Sequence, residues 1–299
     1  MRRVIVFGGL LLLGLALAKS FGAMDRDHRE SNAYSWAGAL PADGWLYVRN
    51  RNGPIRVEEG QGDSVTIVAS RSWTGRRPQD VSFVTNTVGD NVYVCALYGG
   101  GDANDCDDDT YRYRETGWLK RRIFRIRPVT VVFTVRAPSS ARINADTREG
   151  RITSDAPLAA LVANTRNGSI KADKPIGMIE ARTRNGSVNA IIADGPLAGD
   201  VLLETRNGTV TAELPDGVNA NLSMQTRNGR VSSEFQSIQS NGASGGSQSR
   251  TSITGVLGAG GPTVTLESRN GSVRLKRRPA KAEETPDSAT VAAPAAGTN

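Results

Sequence analysis

From residue 41 onward, apolar and polar residues alternate in short runs. Residues 45–48, 64–68, 91–95 and 129–135 each place Val, Leu, Ile, Tyr or Phe at every second position. A period of two describes a strand with one face buried. The Val, Ile and Thr content of these runs suits a pleated surface. No stretch beyond the N-terminus shows helical apolar spacing, so an all-β chain is predicted.

From residue 141 the alternation becomes a repeat. Thr-Arg-Asn-Gly stands at 165–168, 183–186, 205–208 and 226–229, with Ser-Arg-Asn-Gly at 268–271. Thr-Arg-Glu-Gly at 147–150 is a variant, and Asn-Arg-Asn-Gly at 50–53 is an early, isolated copy. From Gly150 the glycines recur after 18, 18, 22, 21 and 42 residues, the last step equal to two of 21 with one motif lost near Arg250. A regular period of this size marks a repeat architecture. Before each glycine the inward set ends in Thr, as in Ile179, Ala181, Thr183 or Val201, Leu203, Thr205. Two residues after it stands Val, or Ile as at 170. Each repeat therefore reads as strand, corner, strand, with Asn-Gly supplying backbone free to adopt positive φ.

Two architectures satisfy this pattern. In a single-stranded β-solenoid (β-helix) of roughly 20-residue repeats, like residues stack about 4.8 Å apart in successive coils. In an antiparallel β meander or sandwich, each Asn-Gly is a two-residue hairpin turn. A hairpin requires only Asn-Gly, whereas stacking also rewards identical Thr and Arg, and this favours the solenoid.

The organisation predicted is a signal peptide at 1–18, a polar leader at 19–40, a β-repeat domain at 41–278 and a disordered tail at 279–299. The signal rests on Arg2 and Arg3, an apolar run over 4–18 and an Ala-Leu-Ala cleavage site at 16–18. That run is short for a span of about 20 residues, so no stable membrane span is expected after cleavage. The alternative is inner-membrane anchoring by an uncleaved signal. The net charge of +7 falls to +5 without Arg2 and Arg3, a mildly basic balance that suits anionic polymers. An exported chain excludes nucleic acid as a partner and points to the periplasm or cell surface. Cys95 and Cys106 are the two cysteines, and in an oxidising compartment they are expected to form a disulfide. They flank an acid-rich loop with Asp102, Asn104, Asp105, Asp107, Asp108 and Asp109. This loop lacks the spacing of a calcium loop, and no metal or other cofactor is expected. The one histidine, His28, is read as solvated among acids in the leader. The low-complexity stretch 241–248 is read as a loop.

The Asn-Gly-Ser/Thr-Val corners, the opening segment 44–57 (GWLYVRNRNGPIRV) and the closing segment 253–266 (ITGVLGAGGPTVTL) resemble the bacterial putative-adhesin family of β-strand-repeat envelope proteins, over about residues 41–275. The resemblance implies a β-repeat fold, export and an adhesion-like or structural role. The acidic loop and its cysteines depart from the family pattern.

The candidate site is created by the repetition. Two residues before each glycine stands arginine: Arg51, Arg148, Arg166, Arg184, Arg206, Arg227 and Arg269. Alternation points these opposite to the inward Thr. Stacked at about 4.8 Å, neighbouring charges repel by roughly 0.9 kcal/mol in water, less in salt. Asp146, Glu204 and Glu267 stand one strand step away and are expected to offset part of this repulsion, while Arg182 does the reverse, leaving the column basic on balance. Such a column either docks a polyanion, an anionic polysaccharide or lipopolysaccharide, through paired hydrogen bonds, or stays solvated and covers the coil edges. The rival class is a carbohydrate-active β-helix enzyme, which needs acids converging in a groove. Glu180, Glu204, Glu213 and Asp216 do not recur in register, so a non-enzymatic protein is expected.

Overall fold

Alternation becomes burial strand by strand. In Val129–Ala137 every second side chain is buried, and the same holds through Arg142–Glu149. The computed structural model describes residues 27–75, 78–107, 111, 126–236 and 250–278. The predicted signal peptide, the tail at 279–299 and the loop at 241–248 lie outside the described residues.

The described residues are all-β, arranged as two mixed ten-stranded sheets. The first contains, in spatial order, Asp27–Ala39 (β1), Ser64–Thr74 (β4), Val129–Ala137 (β7), Ile55–Glu59 (β3), Ile152–Ser154 (β9), Ile170–Asp173 (β11), Val188–Ile191 (β13), Val210–Pro215 (β15), Val273–Arg278 (β20) and Val231–Ser233 (β17). The second contains Ser252–Leu257 (β18), Ala220–Asn228 (β16), Thr263–Asn270 (β19), Val201–Asn207 (β14), Met178–Asn185 (β12), Ala160–Asn167 (β10), Arg142–Glu149 (β8), Trp45–Asn52 (β2), Asn91–Tyr98 (β6) and Val81–Val88 (β5). One continuous hydrophobic core, including Leu46, Ile55, Phe133, Ile143, Ile170, Ile179 and Leu203, joins the inner faces.

The two strands flanking each Asn-Gly lie in different sheets, so the corner is not a hairpin turn. From β8 to β15 the strands instead pair in parallel with their counterparts one repeat away. Thr147, Thr165, Thr183 and Thr205 share one register row, as do Ile152, Ile170, Val188 and Val210.

Two expectations about order along the chain are corrected. The 42-residue step does not conceal a lost unit. The last unit, β19 with β20, inserts between the β14/β15 and β16/β17 units, and β18 pairs antiparallel on the far side of β16. The early copy at 50–53 is not isolated either. β2 and β3 pair directly with β8 and β9, while the intervening chain supplies β4 to β7 beyond them. Antiparallel pairs, β1 with β4, β4 with β7, β5 with β6 and β16 with β18, sit at the two ends of the stack. There they cover parallel edges that would otherwise present unpaired N–H and C=O groups.

The segment expected as a leader contributes β1, which pairs with β4 from Asp27 to Ala39 around an irregularity between Glu30 and Tyr34. His28 stacks on Trp73 with ring centroids 5.4 Å apart rather than standing free among acids.

Candidate functional site: the arginine and asparagine rows

Each corner is built from three hydrogen-bonded ladders. The glycine N–H donates to the carbonyl of the residue before glycine in the next unit, as from Gly168 to Asn185 and from Gly186 to Asn207, both at 3.0 Å. The glycine carbonyl has turned out of the strand ladder and is met by a hydroxyl. Thr165, Thr183, Thr205, Ser268 and Thr226 donate to Gly150, Gly168, Gly186, Gly208 and Gly271 respectively, at 2.8–3.0 Å. These hydroxyl residues are buried, and an unpaired carbonyl there would cost the full desolvation of the group. The inward position therefore requires a small side chain with a hydroxyl.

The third ladder consists of side-chain amides. Asn228 Nδ2 donates to Asn270 Oδ1, Asn270 to Asn207, Asn207 to Asn185 and Asn185 to Asn167, at 2.7–2.8 Å. Among the described residues no asparagine of the repeat has a positive φ, so its role is stacking rather than the turn. The glycine itself answers mainly to close approach. A Cβ on Gly168, Gly186, Gly208 or Gly271 would fall 1.9–2.0 Å from the glycine carbonyl oxygen of the adjacent unit.

This frame fixes the arginines. Thr165 is level with Thr183 and Asn167 with Asn185, which sets Arg166 beside Arg184. The same register continues the row in the order Arg184, Arg206, Arg269, Arg227, with the last two reversed by the inserted unit. A groove runs along the row, lined by these arginines and their asparagines. Arg166, Arg184, Arg206, Arg227 and Arg269 are exposed, and none has a carboxylate within salt-bridge distance among the described residues.

The other two members of the predicted column are engaged at its start. Arg51 lies over the Tyr98 ring, 5.8 Å from its centroid, and Arg148 is half-buried. Asn50 takes the inward place of Thr and reaches both Gly53 and Val131 carbonyls, at 3.0 and 2.9 Å, because the neighbouring β7 brings no corner of its own. The Tyr98 hydroxyl donates to the Asn52 carbonyl at 2.9 Å. Burial pushes its phenol well above the usual tyrosine range, against the hydrogen bond to Asn52 and the nearby charge of Arg51.

Two of the acids expected to offset the row, Glu204 and Glu267, are engaged by other side chains. Glu204 accepts from Arg182 Nε at 3.2 Å, and Arg182 also pairs with Glu180. Glu267 accepts from Gln225 at 2.7 Å. Arg182 thus neutralises acids instead of adding to the row, and the row keeps its charge. Asp102 and Asp105 of the acidic loop cap the short turn Ala103–Asp105, and Cys95 and Cys106 are joined by a disulfide beside it.

No protein-family model matches the sequence, and no curated protein matches it. The structure is similar to that of a putative cell adhesion protein from Clostridium sporogenes, at TM-score 0.45 and 8% identity, covering 85% of this chain and 100% of that one. It is also similar to a putative adhesin from Bacteroides fragilis, at TM-score 0.33 and 8% identity, covering 82% of this chain and 96% of that one. Likeness of this size carries no argument about activity. Among the described residues no helix is long and apolar enough to cross a membrane.

Proposed function

We propose that this chain is an exported envelope protein with an adhesion-like, non-catalytic role, whose repeat body is a β-solenoid presenting an arginine row to an anionic glycan, free or within lipopolysaccharide. The observation that carries the reading is the row of Arg166, Arg184, Arg206, Arg269 and Arg227, exposed, in register and unpaired with carboxylates. Guanidinium groups recognise carboxylate and phosphate with two parallel hydrogen bonds, and a fixed row of them favours a ligand whose charges also repeat. The solenoid reading is supported by the parallel in-register pairing of units from β8 to β15. Export to the periplasm or cell surface is supported by the apolar segment ending in Ala-Leu-Ala and by the disulfide.

The test is retention on immobilised acidic glycan and on lipopolysaccharide, comparing the protein with a variant carrying Arg166→Gln, Arg184→Gln and Arg206→Gln. Retention of the parent and loss in the variant on either surface supports the proposal and identifies the source. Equal retention of the two proteins on both surfaces overturns it.

A further inference from the structure

Resting on the polyanion reading, the geometry points to a more specific ligand. We infer that the row takes a linear acidic glycan with a carboxylate on each successive sugar, lying along the stack axis and filling about five sugar positions.

The first argument is spacing. Neighbouring strands are about 4.8 Å apart, so the arginine backbones repeat at that interval, comparable to the advance of one sugar residue in an extended glycan, and their long side chains can reach carboxylates on either edge of it. A polymer charged on each residue meets every arginine. One charged on alternate residues leaves every second arginine facing a neutral sugar.

The second argument is the asparagine row beside the arginines. Asn185, Asn207, Asn270 and Asn228 each spend one N–H on a neighbour, and a primary amide has two. These asparagines are exposed, so a second donor row faces solvent at the same spacing. Arginines that take carboxylates and amides that donate to hydroxyl oxygens together suit a sugar acid.

The third argument is length. Arginine and asparagine occur together on five adjacent strands, β10, β12, β14, β19 and β16, spanning about 19 Å at the usual strand spacing. On the next strand, β8, Glu149 takes the place level with Asn167. Arg148 of β8 still lines the groove, but the Glu149 carboxylate beside it repels an acidic chain and ends the run of paired arginine and asparagine. At the opposite end the chain leading into the antiparallel β18 crosses the corner, the Thr226 and Val231 N–H groups donating to the Thr251 and Arg250 carbonyls, and it brings no further Arg-Asn pair.

The experiment is titration calorimetry of the full-length mature protein at low and moderate salt. The probes are galacturonate oligomers of two to eight residues and hyaluronate oligomers, which carry one carboxylate on every second sugar. Affinity for galacturonate is expected to rise at least about tenfold from two to five residues. Beyond five, only the small statistical gain from additional registers should remain. At equal length hyaluronate should bind at least fivefold more weakly. Asn207→Ala, with its fold checked by circular dichroism, should weaken the five-residue galacturonate severalfold. Equal affinity for the two polymers at equal length, or no change in slope near five residues, overturns this inference. If the arginine variant still loses binding in that case, the broader proposal stands. Absence of binding to any acidic glycan or lipopolysaccharide removes both.

Discussion

Replacing Thr205 by Val tests whether the corner is held by its hydroxyl or only by its shape. Thr205 is 2% exposed, and its Oγ1 lies 2.8 Å from the Gly186 carbonyl oxygen. Valine keeps the β-branched outline and fills the same space. What it removes is the donor, leaving a buried carbonyl unpaired at a cost of about 1–3 kcal/mol. The added methyl returns up to about 0.8 kcal/mol, so a net loss of roughly 0.2–2 kcal/mol is expected. For a protein of this size that is a fall in Tm of up to about 8 °C. Urea unfolding followed by far-UV circular dichroism measures the difference. If the position required only a small apolar side chain, Val would be neutral or stabilising. An unchanged or raised midpoint for Thr205→Val would refute the corner mechanism.

Three other outcomes follow from the same geometry. Gly186→Ala places a Cβ 2.0 Å from the Gly168 carbonyl oxygen and should cost more than about 3 kcal/mol. Gly217→Ala, at φ +75° but with open space around it, should cost only about 1–2 kcal/mol, and the two denaturation midpoints give the contrast. Arg184→Gln removes repulsion from Arg166 and Arg206, so Tm should rise by about 1–3 °C at low salt and converge with the parent at high salt as screening takes over. A fall in Tm at low salt would mean that guanidinium packing outweighs the repulsion. The folded-state pKa of Tyr98 lies above its unfolded value, so the neutral phenol favours the fold. Its contribution is complete below the ordinary tyrosine pKa of about 10 and is lost as pH rises toward the folded pKa. Tyr98→Phe should therefore be less stable at neutral pH but lose stability less steeply above about pH 10, as read from alkaline unfolding curves.

Much of the corner was legible because a repeat writes each constraint several times. Inward Thr183, outward Arg184 and the bend at Gly186 follow from alternation alone. The reasons for Thr and Asn were less accessible, since their partners lie in other units. Nothing local states that the Thr183 hydroxyl meets the Gly168 carbonyl, and the recurring Asn was assigned to the turn whereas its amide stacks on amides of other units. Glycine was assigned to the right place for an incomplete reason, because close approach of the adjacent carbonyl is a property of the stack. The insertion of β19 and β20 between earlier units was hidden because the spacing of 42 residues is compatible with either order. The pairings beside the row were hidden for a similar reason. Arg182, Glu180 and Glu204 are neighbours on the face, and only the side-chain geometry shows that they satisfy one another. The strand character of Asp27–Ala39 escaped because β1 is an edge strand in which few side chains are buried, leaving its alternation weak.

The central claim is that five arginines act as one anion-binding row, and side-chain NMR tests it most directly. Titration with a five-residue galacturonate should shift the Nε–Hε resonances of Arg166, Arg184, Arg206, Arg269 and Arg227 together along one binding curve, while Arg182, held by Glu180 and Glu204, stays in place. Stationary row resonances with shifts confined to other arginines, or no shifts at saturating ligand, would contradict it.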